Sequence, residues 1–149
     1  GRLAVEGVTD EIKGYKFKIG KGITLRDGSD VTIIAIGLMV QEALKAADIL
    51  AKKGISARVI DMPTLKPIDK KIIIKAAKET KAIITTEEHN VIGGLGSAVA
   101  EVLSENYPTK LVRHGVKDEF GRSGEAKAVL KAYKLTAEEI ANECRRALK

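Results

Sequence analysis

Ala82-Ile83-Ile84-Thr85-Thr86-Glu87-Glu88-His89-Asn90-Val91-Ile92-Gly93-Gly94-Leu95-Gly96-Ser97-Ala98-Val99-Ala100-Glu101 decides how the rest of the chain is read. An apolar, β-prone run over Ala82 to Thr86 leads into an acidic turn with a histidine. A glycine-rich elbow then opens a helix of small residues over Gly94 to Asn106. A strand that feeds a helix through glycines is the turn of an α/β sheet, and ligands or partner domains meet such sheets at that edge.

Toward the N-terminus, Ala57 to Ile60 reads as another strand, followed by Asp61-Met62-Pro63-Thr64-Leu65-Lys66-Pro67-Ile68-Asp69. Its two prolines forbid regular structure. Asp69 is placed to cap a helix that runs to Thr80. Further back, Val31 to Ile36 is apolar almost throughout, as a central strand covered on both faces should be. Gly37 releases the chain into a helix over Leu38 to Lys53, whose Val40, Ala43, Ala47 and Leu50 share one face and whose natural stop is Gly54. Ile23 to Arg26 alternates, and Asp27-Gly28 is a turn signal, so the two first strands read as an antiparallel hairpin. Residues 1–21, with glycines at 7, 14 and 20 and no sustained period, read as a linker or the tail of a preceding domain. A beginning without Met suggests a chain that has been cut.

Toward the C-terminus, Lys110 to Arg113 is a short strand, and residues 114–124 form a polar loop. Glu125 to Tyr133 is helical, and Thr136-Ala137-Glu138-Glu139 is a capping box that opens the last helix. The order β-β-α-β-α-β-α-β-α-α specifies an α/β fold of three layers. Its five-stranded sheet is mostly parallel with one antiparallel edge strand, and helices cover both faces.

Composition narrows the function. The 149 residues are 44% hydrophobic, supplied by Ile, Val, Leu and Ala, with 3% aromatics and no Trp. One ordinary domain follows, and a module that stacks nucleobases is disfavoured. The net charge of +6 is spread among 20 acidic residues without a long run of one sign, so no nucleic-acid role is expected. Cys144 stands alone, which excludes a disulfide framework and a cysteine metal cluster; it reads as a half-buried bystander. With neither an apolar stretch of membrane-spanning length nor a leader, no membrane is expected and the location reads as cytoplasmic.

Three groups could carry chemistry. Gly94-Leu95-Gly96 gives half of a G-x-G-x-x-G pattern, but Val99 stands third and the elbow lies well past the strand's end. A dinucleotide turn needs the strand to run straight into its glycines. Gly93, Gly94 and Gly96 read instead as positions of close packing. Glu87, Glu88 and His89 are the densest ionisable group and could act as acid and base. Consecutive residues on an extended stretch point to opposite sides, however. One glutamate and the histidine are therefore expected to tie the elbow to backbone or to a partner domain. His114, beside Arg113, could bind an anion or be a loop histidine bonded to backbone; the second is preferred.

At this point the motifs resemble the C-terminal domain of the transketolase superfamily. Asp30-Val31-Thr32-Ile33-Ile34-Ala35-Ile36-Gly37-Leu38-Met39-Val40 is similar to the start of that domain, and Val59 to Asp69, with Asp61 and Pro67, to its internal connection. Thr86-Glu87-Glu88-His89 with Gly93 to Glu101 resembles its third signature. The resemblance spans residues 16 to 148. Glu88-His89 and Asp118-Glu119-Phe120-Gly121-Arg122-Ser123-Gly124 look most like transketolase, including the C-terminal half of split transketolases. A deoxyxylulose-phosphate synthase, where an Asn is expected after the glutamate, and a 2-oxoacid dehydrogenase beta chain remain alternatives. A free-standing anion- or nucleotide-binding module at Gly93 to Gly96 is an alternative of another class.

The resemblance implies two-carbon ketol transfer between sugar phosphates, in the pentose phosphate pathway, using thiamine diphosphate with Mg²⁺ or Ca²⁺. It implies that those groups are bound by N-terminal domains or a separate subunit, and that the assembled enzyme is a homodimer. The G-D-G…N segment that holds metal and diphosphate is absent from this sequence. No catalytic, cofactor or metal residue is therefore carried over. Residues 1–21 would close the pyrimidine-binding domain, and residues 22–149 would be a C-terminal domain inactive alone. Glu87, Glu88, His89, Gly93, Gly94, Gly96, Asp61, Pro67 and His114 are its structural or interdomain candidates.

Overall fold

The structure, a computed structural model, describes residues 7–10, 12–119, 121 and 124–149. Phe120, Arg122 and Ser123 of the polar loop, and residues 1–6 and 11 of the first segment, lie outside the described residues. Ten elements follow one another: β1 (Ile23–Arg26), β2 (Val31–Ala35), α1 (Met39–Ala51), β3 (Ala57–Asp61), α2 (Lys70–Glu79), β4 (Ala82–Asn90), α3 (Leu95–Asn106), β5 (Leu111–Val116), α4 (Ala126–Ala132) and α5 (Ala137–Ala147).

The five strands form one sheet in the order β1-β3-β2-β4-β5, with β1 antiparallel and the other pairings parallel. Alternation along each central strand divides the apolar residues between two cores. Val31, Ile33 and Ala35 of β2 join Val59 and Ile84 under α1 and α5. Ile34 joins Ile60 and Ile83 under α2 and α3. This is the three-layer arrangement specified by the element order.

The expected hairpin is corrected. β1 runs antiparallel to its sheet, but its neighbour is β3, with Ile23 opposite Asp61 and Thr24 opposite Ile60. The turn at Asp27-Gly28 reverses the chain without seating the two strands side by side. A Cβ at Gly28 would collide with the backbone of Ala57 and Arg58. The Asp27 carboxylate meets the Arg58 guanidinium at 3.0 Å. Those contacts steer the turn to the start of β3.

Two strands outrun their expected ends. β4 continues through Glu87, Glu88 and His89 to Asn90, and β5 continues through His114 to Val116. The acidic turn and the start of the polar loop are therefore strand. They pair across the sheet, Thr86 with His114 and Asn90 with Val116, with an irregularity between. Asp69 caps α2 by accepting the Ile72 amide at 3.3 Å, and Thr136 caps α5 by accepting the Glu139 amide. Cys144 is fully buried, not half-buried, because it faces the α1–α5 core.

Candidate functional site

The strand order reverses direction about β2: β3 lies to one side of it, and the chain crosses back to place β4 on the other. The carboxyl ends of β2 and β4 therefore flank a topological switch point, the place where open α/β sheets receive ligands. Ile36, Leu65, Glu87, Ile92 and Leu95 line an open pocket there, of about 440 Å³.

Glu87 dominates this site from inside. It is 2% exposed, whereas Glu88 and His89 beyond it are exposed. Its Oε1 accepts the Leu95 amide at 2.9 Å and its Oε2 accepts the Gly96 amide at 2.8 Å. These are orphan donors of the first turn of α3, and a carboxylate suits the positive end of that helix dipole. The glycines make the approach possible. A Cβ on Gly94 would overlap Glu87 Oε1, and one on Gly96 would lie 2.8 Å from Thr85 Oγ1 and 2.7 Å from Arg113 Cγ. Gly93 has φ of 76°, a left-handed turn that glycine adopts without strain.

The elbow between strand and helix is tied down by its own side chains. Ser97 Oγ donates to the Val91 carbonyl at 3.0 Å and accepts the Gly93 amide at 3.0 Å. Arg113 Nη1 donates to the same carbonyl at 3.1 Å. Asn90 Oδ1 accepts the Ile92 amide at 2.8 Å, and Asn90 Nδ2 donates to Asp118. The bonds made by Ser97, Arg113 and Asn90 escaped the sequence reading, because they join residues whose spacing in the chain carries no motif.

His114 sits in β5, not in a loop, and is 8% exposed. The Lys134 carbonyl, 3.0 Å from Nε2, can only accept, so Nε2 carries the proton. Nδ1 is then the acceptor for the Thr86 hydroxyl at 2.9 Å. Burial holds its pKa below the ordinary value of 6.5, against the opposing pull of the Lys134 carbonyl, so the ring is neutral near pH 7. It latches β4 and β5 to the α4–α5 connection. Pro67, exposed after a cis bond, packs against Gly20, and Thr64 Oγ1 accepts the Gly20 amide at 2.9 Å. Asp69 Oδ2 accepts the Gly22 amide. The segment before β1 is thus fastened to the β3–α2 connection.

The predicted residues therefore do not converge as a catalytic set. Glu87, Gly93, Gly94 and Gly96 come together at the α3 start; Glu88 and His89 face solvent; His114 lies one strand away; Asp61 and Pro67 belong to the β3–α2 side. Thiamine diphosphate does not fit these residues. The helix N-terminus that would take its diphosphate is filled by Glu87. Among the described residues no group of three or more His, Cys, Asp or Glu could hold a metal ion. Nor is any described helix long and apolar enough to cross a membrane.

Comparison with known proteins gives a consistent result. A family model described as the transketolase C-terminal domain matches residues 20–140. A protein described as a transketolase C-terminal section from Methanocaldococcus jannaschii is 50% identical over 134 residues, covering 89% of this chain and 42% of that protein. A 1-deoxy-D-xylulose-5-phosphate synthase from Heliobacterium modesticaldum is 44% identical over 140 residues, covering 93% of this chain and 22% of the synthase. A solved structure titled as a split-gene transketolase, an inactive beta4 tetramer, superposes with a TM-score of 0.87 at 51% identity. It covers 90% of this chain and 44% of the other. The chain spans less than half the length of each.

Proposed function

The chain belongs to the transketolase C-terminal domain family, and on that premise we propose that it is the C-terminal part of a split transketolase, supporting a catalytic centre built elsewhere. The whole enzyme would transfer two-carbon ketol units between sugar phosphates in the cytoplasm, in the pentose phosphate pathway. Thiamine diphosphate and Mg²⁺ or Ca²⁺ would be held by N-terminal domains or a separate N-terminal subunit. Residues 1–21 would lead in from the pyrimidine-binding domain, and the assembly would be a homodimer. This chain alone would be inactive.

One observation carries the reading. Where an α/β sheet would bind an anion, the Glu87 carboxylate takes the free amides of α3. The chain itself thus satisfies those amides, and exposed Ile92 beside them would serve as an interdomain contact. The same carboxylate weighs against a free-standing nucleotide module, since a phosphate would have to displace a buried, doubly bonded anion. A second reading within the superfamily, the C-terminal part of a deoxyxylulose-phosphate synthase, is favoured by the identity to the Heliobacterium enzyme.

The test is calorimetric titration of thiamine diphosphate with Mg²⁺ into this chain, alone and together with the candidate N-terminal subunit. No heat alone and binding by the mixture is the expected result. Binding by this chain alone would overturn the proposal.

A further inference from the structure

A second pocket, of about 420 Å³, opens at the carboxyl ends of β2 and β3, and Ile36 is shared between it and the pocket at the elbow. Val8, Ile36, Leu38, Val40 and Pro63 give it apolar walls, and Asp61 stands among them. Asp61 ends β3 on the face of Val59, toward α1, because alternate residues of a strand share a face. It is 8% exposed. Two other buried charged side chains, Arg58 and Asp69, have partners, Asp27 and Glu79 for the one and the Ile72 and Gly22 amides for the other. The Asp61 side chain, in contrast, has no hydrogen bond or ion pair among the described residues, and burial raises its pKa above the ordinary value.

Most of Asp61 is buried, and its unpartnered carboxylate meets solvent only through this cleft, a setting that disfavours its charge. Here it lies in a cleft whose walls suit methylene groups. A long side chain with a cationic tip meets both demands, its stem along the apolar walls and its charge at the carboxylate. An anion at the start of α1 would face Asp61 and be repelled. We propose that this pocket is a socket for an arginine or lysine side chain of the polypeptide that completes the enzyme. The inference rests on the reading of this chain as one part of a larger assembly, and it gives that assembly a specific buried contact.

Two measurements on this chain test it. First, n-butylguanidinium is titrated into the isotopically labelled chain and followed by NMR. Shifts centred on Val8, Leu38, Val40 and Asp61, reduced at least tenfold in apparent affinity by Asp61→Asn, are expected. Absence of those shifts overturns the proposal, as does probe binding that Asp61→Asn leaves unchanged. Inorganic phosphate binding there in place of the cation would also overturn it. Second, the dissociation constant for the candidate N-terminal subunit is compared between wild type and Asp61→Asn. A rise of at least tenfold is expected, and equal constants overturn the proposal. Probe binding without any complex would support the socket's cation chemistry while contradicting the functional reading, so the two failures are distinguishable.

Discussion

The Glu87 carboxylate holds the Gly96 amide at 2.8 Å across the turn from β4 to α3, and its other oxygen holds the Leu95 amide. A strand residue thereby caps the helix that follows it. Glu87→Ala leaves two donors of a buried turn unpaired. Capping and charge-assisted bonds of this kind place the loss at about 2–4 kcal/mol. Glu87→Gln also fails to restore stability, because its amide NH₂ faces a backbone donor where an oxygen is needed. Urea unfolding of the two variants checks both statements.

Gly94→Ala puts a methyl group onto Glu87 Oε1. The backbone at Gly94, with φ of −93°, accepts alanine, so the cost is steric and about 1–3 kcal/mol. Removing the carboxylate relieves the closest clash and leaves the Asn90 carbonyl, 2.9 Å from the added methyl. The Glu87→Ala/Gly94→Ala double variant is therefore expected to lose clearly less than the sum of the two singles. Strict additivity in a denaturation cycle would contradict the contact.

His114 gives the fold a pH dependence of predictable sign. Its folded pKa lies below the unfolded value of 6.5, because burial disfavours the charged ring. The unfolded chain therefore binds the proton first as pH falls. The stability from neutral His114 is complete above pH 6.5 and declines below it, toward the depressed folded pKa. Glu139 and Glu143, which draw the pKa upward, narrow that window, and Lys117 opposes them. In His114→Gln the decline attributable to this group disappears, read as the difference between the two stability curves over pH 5 to 7.

The Cys144 thiol is pushed up to about 12 by burial in the α1–α5 core. At pH 8 it is a thiol, and it is shielded. Alkylation by iodoacetamide should be far slower in the folded chain than in urea and should follow the opening equilibrium. Rapid alkylation of the native chain would show that α5 does not pack as described.

Legibility of the sequence divides along physical lines. The layers were readable because the almost unbroken apolar run of Val31 to Ile36 and the face of Val40, Ala43, Ala47 and Leu50 report burial directly. The neighbour of β1 was not. Asp27-Gly28 dictates a reversal of direction, but the choice of β3 over β2 is made by Arg58 and by backbone contacts distant in sequence. The ends of β4 and β5 were lost for a related reason. Glu87, Glu88 and His89 look like a turn because their charge argues for solvent, and no local pattern shows that the Glu87 charge is met by helix amides. The opposite faces of Glu87 and Glu88 follow from strand geometry alone. The Thr86–His114–Lys134 chain could be found only by folding.

The central claim is that this chain completes, and does not contain, the catalytic centre. Its most direct test is a ketol-transfer assay with sugar phosphates, thiamine diphosphate and Mg²⁺, run on this chain, on the candidate N-terminal subunit, and on their mixture. The account predicts two silent parts and an active mixture. Turnover by this chain alone would contradict it.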